Sequence, residues 1–190
     1  MNGLKALTIL AAAALFSAAA LSAPATFTTE PNHTFVRFSY NHMGFTTQEQ
    51  RFNKVSGTVT LDEAAKTGTV DILIDAKSID TGSDLFNGHI QGVDFLDTTD
   101  FPTATFKSTA VKFDGLKPVS VDGNLTVKGI TKPVTLTVTS YTHGANMMKK
   151  DAIGADATTS IKRSDFNMGK YAPMVSDDVK ISISIEAYQP

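Results

Sequence analysis

Cysteine is absent from the 190 residues, and so is tryptophan. The first absence excludes disulfide scaffolds, thiolate zinc sites, iron–sulfur clusters and thiol nucleophiles together. Charge of one sign is not in excess: 17 Lys+Arg stand against 19 Asp+Glu, a formal charge of −2. Without a basic stripe, nucleic acid is not an expected partner. The chain also lacks a Gly-rich phosphate loop, a nucleophile elbow and a paired-His metalloprotease motif. Its four histidines, His33, His42, His89 and His143, are too scattered to spell a metal site by spacing. Ser, His and Asp occur throughout, but abundance is no triad. No catalytic residue, metal or cofactor is expected.

Charge is missing almost entirely from the first 25 residues, where Lys5 is the only charged side chain. An apolar Ala/Leu run from Ala6 to Ala20 follows it, and small residues surround Ser22 and Ala23. That order of charge, apolar run and small residues is a secretory signal peptide. A membrane anchor is the alternative, but the run is short for a span of about 20 residues. Cleavage is expected after Ala20, Ser22, Ala23 or Ala25, the last fitting the Ala23-Pro24-Ala25 pattern. Residues 1–25 are therefore read as a leader and 26–190 as one exported domain.

What is plentiful is threonine, 25 residues, which with Val, Ile and Phe points to strands. Period-two alternation is frequent. Val36, Phe38 and Tyr40 alternate with polar neighbours, as do Val55, Val59 and Leu61. Val70, Ile72 and Ile74 do the same, with Leu73 out of pattern. Further segments are Val119–Val127, Val134–Val138 and Val179–Glu186. Each strand has one apolar and one polar face, the antiparallel signature. Val121, Leu136, Ile181 and Ile183 should be buried, and Thr135, Thr137, Lys180 and Ser182 should face solvent.

Turns fall at Asp62–Gly68, Asp114–Pro118 and Lys128–Pro133, where Gly, Pro and charge combine. Gly123 inside a strand marks a bulge or bend. Phe106 and the Val111/Phe113 pair have opposite parity, which predicts a bulge between Ser108 and Val111. Ser78–Phe101 breaks the pattern and suits one or two short helices. The result is an all-β chain with a small helical insert: about eight meander-connected antiparallel strands, closed as a barrel rather than an open sandwich. Eight strands are just wide enough to hold one ligand. Aromatic and methionine residues gather in three groups, around Phe35–Phe52, Phe86–Phe106 and Phe166–Met174. Composition allows them to be either a packed core or the wall of an apolar slot.

The chain resembles the YceI family. The matching segments are His33–Phe38, Asn41–Phe45, Phe52–Val59, Ser78–Thr81, His89, Asp94–Phe106, Gly123–Val134 and Asp165–Met168, in order from about Ala25 to the C-terminus. The resemblance implies a lipocalin-like eight-stranded barrel with a helical insert near its mouth. It implies a polyisoprenoid or similar long-chain amphiphile inside, a periplasmic location, and in some members a homodimer. The family pattern establishes no enzymatic activity. An apolar wall is then expected from Phe38, Tyr40, Phe45, Phe86, Ile90, Phe95, Phe106, Phe166 and Met168. Asn41, His42, Arg51, His89 or Lys170 would meet a polar head at the rim, with Arg51 favoured for an anionic one.

Three readings follow. The first is a protein that carries or sequesters an isoprenoid quinone, a fatty amide or a related lipid, with a membrane redox protein as a conceivable partner. The second is a packed structural barrel without ligand. The third is an enzyme acting on a lipid. Lipid content separates the first from the second, and turnover of a bound chain marks the third.

Overall fold

The computed structural model describes residues 23–190. The expected leader lies almost wholly outside them. Eleven strand segments and one helix follow in order: β1 (Ala25–Thr29), β2 (Phe35–His42), β3 (Thr46–Phe52), β4 (Val55–Asp62), β5 (Thr67–Asp75), β6 (Ile79–Asp80), α1 (Asp84–Gln91), β7 (Thr103–Asp114), β8 (Lys117–Val127), β9 (Ile130–Ala145), β10 (Asp151–Lys162) and β11 (Asp178–Tyr188).

All pairings are antiparallel, and they reduce the eleven segments to eight long strands. Segments β1 and β2 are one strand kinked at 30–34, because both pair with β11 on one side and with β4 and β3 on the other. Segments β3 and β4 are likewise one strand broken at 53–54, and β6 continues β5. From there the meander runs through β7, β8, β9, β10 and β11, and β11 returns to the first strand. The barrel is closed and has no free edge.

Each kink has its own hydrogen bonds. Buried Thr34 donates its hydroxyl to the Glu186 carbonyl at 3.0 Å, where the first strand changes partner. At the second kink the Asn53 N–H donates to the Ser78 carbonyl and the Lys54 N–H to Ser78 Oγ, both at 3.0 Å; further along β4 the Gly57 N–H donates to Thr29 Oγ1 at 3.0 Å. Gly57 has φ +153°, and a Cβ there would stand 2.1 Å from the Asp71 carbonyl oxygen. That atom is backbone and cannot step aside. Gly57→Ala should therefore lower stability by about 2–4 kcal/mol in urea denaturation. An unchanged midpoint would show that the close approach of β4 and β5 at Gly57 is not needed.

The sequence-predicted bulge is present. The β7–β8 register moves from Ser108↔Gly123 to Ala110↔Asp122, skipping Thr109. Ser108 Oγ, freed there, accepts the Val70 N–H at 2.7 Å. Gly123 stands opposite the bulge for a second reason: the Phe106 ring lies against it, and a Cβ would meet that ring at 2.4 Å. The helical insert resolves into α1, capped by the Ser83 side chain accepting from the Phe86 N–H. A chain of turns then leads to Phe101.

One end of the barrel is solid. Phe27, Val59, Leu61, Ile153 and Ala187 pack there as a separate cluster, all under 7% exposed. At that end Glu63 accepts from the Tyr141 hydroxyl at 2.6 Å and meets His143 Nδ1 at 2.9 Å, while His143 Nε2 meets Asp151 at 2.9 Å. Burial first, then Glu63, pushes the Tyr141 phenol well up.

Parity follows the expected faces: Thr135, Thr137, Lys180 and Ser182 are exposed and Val121 is buried. Leu136, Ile181 and Ile183 differ from expectation in being only half-buried. They point inward, and what they face is a hollow.

Candidate functional site: an apolar cavity

The eight strands enclose a cavity of about 370 Å³, within the ~300–1,000 Å³ range of small-molecule sites. Its wall is built by alternation. Along β10 every second residue lines it: Ile153, Ala155, Ala157, Thr159, Ile161 and, past the strand end, Arg163. Leu136 from β9 and Ile181 and Ile183 from β11 flank them on the same wall. No local rule distinguishes such positions from solid core, because period two sets direction and not the distance to the opposite wall.

The open end lies where α1, the β2–β3 hairpin tip and the loop 163–177 meet. Met43 N–H donates to the Met174 carbonyl at 3.0 Å, joining hairpin to loop. His89 stacks on Phe86 at 5.8 Å between ring centres and touches Phe95 at 5.0 Å; Phe95 meets Tyr171 at 6.4 Å. Lys128 Nζ donates to the Val93 carbonyl at 2.6 Å and the Asn167 carbonyl at 3.1 Å, strapping the insert to the loop. Lys170 pairs with Asp94 across the same gap, which holds the ammonium pKa above its ordinary value.

Of the expected wall residues, Phe38, Tyr40, Phe86, Ile90, Phe95, Phe106 and Met168 line the cavity. Two do not. Phe45 sits at the hairpin tip and is 84% exposed: closeness in sequence to Phe38 and Tyr40 did not carry it onto their face. Phe166 is 1% exposed and packed into the core by the one-turn 3-10 helix Arg163–Phe166, off the cavity wall.

Of the expected rim residues, His42 and His89 border the cavity. Arg51 does not. It lies between inward Gln50 and Phe52, so alternation turns it outward. There it stands 3.8 Å from Asp80 and over the outer ring of Phe35 at 5.2 Å. Asn41 also faces out and caps the hairpin by accepting the Gly44 N–H at 2.7 Å. Lys170 is spent on Asp94, outside the wall.

Two interior polar residues went unnoticed in the sequence. Arg163 is 7% exposed. Its guanidinium donates to the carbonyls of Met168, Lys170 (2.7 Å), Val175 (2.7 Å) and Ser176 (2.8 Å). Burial pulls its pKa down, and Asp177 offsets this only in part. Gln50 is 4% exposed, and its Oε1 accepts no hydrogen bond. Parity from Ile161 and from Phe52 was the signal available for each.

The YceI-like domain model matches residues 27–187, almost the whole described chain. This protein belongs to the YceI family. Protein YceI of Shigella flexneri is 36% identical over 180 residues, 94% of either chain. Protein YceI of Escherichia coli O6:H1 is 35% identical over the same share. Among solved structures, Burkholderia cenocepacia BcnA superposes with a TM-score of 0.68 at 32% identity, over 81% of this chain and 96% of that one. A polyisoprenoid-binding domain from Saccharophagus degradans, implicated in plant cell wall breakdown, has a TM-score of 0.64 at 19% identity, over 86% and 98%. The latter likeness speaks to the fold alone. With the YceI family and its closed barrel in place, the question becomes what occupies the hollow.

Proposed function

We propose that this YceI-family protein holds a polyisoprenoid or similar long-chain amphiphile, such as an isoprenoid quinone or a fatty amide, in its barrel for carriage or sequestration. The observation that supports this most is the cavity itself, closed below by packed side chains, open above and apolar along nearly all its wall. The work is burial rather than catalysis: each CH₂ moved from water into such a wall is worth about 0.8 kcal/mol. Met168 adapts to an irregular chain. The polyisoprenoid-binding neighbour lends the ligand class by fold analogy.

Carriage is supported by the outside of the mouth. Phe45, Leu85 and Val93, on the hairpin tip, α1 and the following loop, are 84%, 88% and 70% exposed. Apolar side chains around the opening favour exchange with a lipid phase. Replacing all three by serine should slow lipid uptake from phosphatidylcholine vesicles by about tenfold and leave the melting temperature unchanged. An unaltered rate would remove the mouth from the exchange path.

Export to the periplasm, with cleavage of the leader, belongs to the same proposal. Protein recovered from its native host should begin between Leu21 and Thr26, and a sequence still starting at Met1 would refute it. The central experiment is solvent extraction of that material and mass spectrometry of what leaves. A long-chain amphiphile in near-stoichiometric amount is expected. Protein that yields none, and takes none up from vesicles, is a packed barrel and not a carrier.

A further inference from the structure

Strand β9 carries a bulge of its own. Its register with β10 runs Ala157↔Val138 and then Asp156↔Ser140, skipping Thr139, whose hydroxyl donates to the Asp156 carbonyl at 3.2 Å. One extra residue reverses the parity of everything beyond it, and so re-aims the side chains that follow. Before the bulge Val134, Leu136 and Val138 line the cavity; after it Tyr141 does. Strict alternation would have put Ser140 and Thr142 on that face, and both are exposed instead.

Tyr141 ends the hollow. It lines the cavity together with Val59, Leu61 and Ile153, which belong to the packed cluster of the closed end, and it packs against that cluster itself. A tyrosine at an apolar floor needs a partner for its hydroxyl. The partner stands outside the lining: Glu63, in the turn between β4 and β5, accepts from it at 2.6 Å. The same carboxylate meets His143, whose other ring nitrogen meets Asp151. The ring is thus pinned at its far end, with its polar tip led away from the ligand. Ala155, the register partner of Tyr141 on β10, also lines the cavity. One large ring beside one small methyl group sets the level of the floor.

We infer that Tyr141 is the stop that sets the longest tail the cavity can bury, so that the protein selects its ligand by chain length. The inference rests on the proposed lipid cavity and adds a length limit to its ligand class. With the head group at the mouth, each further CH₂ reaches deeper and is worth about fourfold in affinity. The gain ends where the tail meets the ring, because carbons beyond that depth stay in water.

The test is a ladder of saturated primary fatty amides of increasing length. Neighbouring lengths are offered in pairs to the full mature protein, and the bound share of each is read by native mass spectrometry. Affinity for the parent should rise about fourfold per CH₂ up to one length and then stay level. In Tyr141→Ala the rise should continue past the parent's limit. Ala155→Leu, which fills the same level, should end the rise at a shorter tail. Tyr141→Phe keeps the ring and should keep the limit. Should Tyr141→Ala fail to fold, Ala155→Leu and Tyr141→Phe decide. A parent whose affinity climbs without a limit would overturn the stop and leave the lipid cavity standing. A limit that neither Tyr141→Ala nor Ala155→Leu moves would do the same. Failure of the parent to bind any member of the ladder would count against the cavity reading and remove the stop with it.

Discussion

Replacing Arg163 by methionine should cost the protein about 3–5 kcal/mol and loosen the loop from Met168 to Ser176. The side chain is buried and supplies donors to four carbonyls of that one loop. Each buried carbonyl left without a donor costs about 1–3 kcal/mol, and relaxation of the loop returns part of the sum. Arg163→Lys should recover little, because an ammonium has three donors and no planar fork to span carbonyls on opposite sides. Urea denaturation reads the stability, and amide exchange reads the loop. The Met43 N–H to Met174 bond and the Phe95–Tyr171 contact depend on the same loop, so the mouth should open with it. A Met variant with the parent's midpoint and unchanged exchange would mean that other contacts hold the segment.

Ile183→Asp should abolish lipid retention while leaving a folded protein. Ile183 is half-buried, and its remaining exposure is to the cavity, since its neighbour Ser182 takes the outer face. A carboxylate there can keep water in an empty cavity but must be desolvated against an alkyl chain, at several kcal/mol or more than a hundredfold in binding. Phe106→Asp makes the contrast. Phe106 also borders the cavity, but at 6% exposed with its ring pressed on Gly123 it has little water within reach, so the same charge should unfold the chain. Phe106→Ala belongs at the lower end of the ~3–5 kcal/mol for such truncations, because its hole joins an existing one. Melting temperature and retained lipid, measured on all three, decide the matter. Should Ile183→Asp unfold as completely as Phe106→Asp, the interior at Ile183 is solid core.

Some strands escaped the alternation reading for chemical reasons. Segment β3, Thr46–Phe52, turns Gln50 inward beside Phe52, so its inner face is not apolar. Strand β10 writes its inner face partly in Ala and Thr, and a methyl group barely contrasts with a hydroxyl. The expectation for Arg51 matched charge to a head group and overlooked that Phe52, one residue on, was already inward. Parity alone would have moved it to the outer face and raised Gln50 and Arg163 in its place. Phe45 and Phe166 were drawn in by neighbours along the chain. A hairpin tip and a 3-10 turn follow no strand parity, so chain proximity told nothing of their direction.

By itself the sequence determined the antiparallel class, the inward set of most strands, a bulge between Ser108 and Val111, the place of the helical insert and the family. These are local properties: period two, turn chemistry and the order of motifs are written along the chain and hold wherever the strand is placed. The tertiary structure alone decided that the inward residues at one end interlock as core while those in the middle and at the mouth stand back from a hollow. That outcome depends on girth, the distance across a closed barrel, which no single strand encodes. It also decided that Tyr40 on β2 and Arg163 past the end of β10 border the same cavity. Only closure brings those segments together.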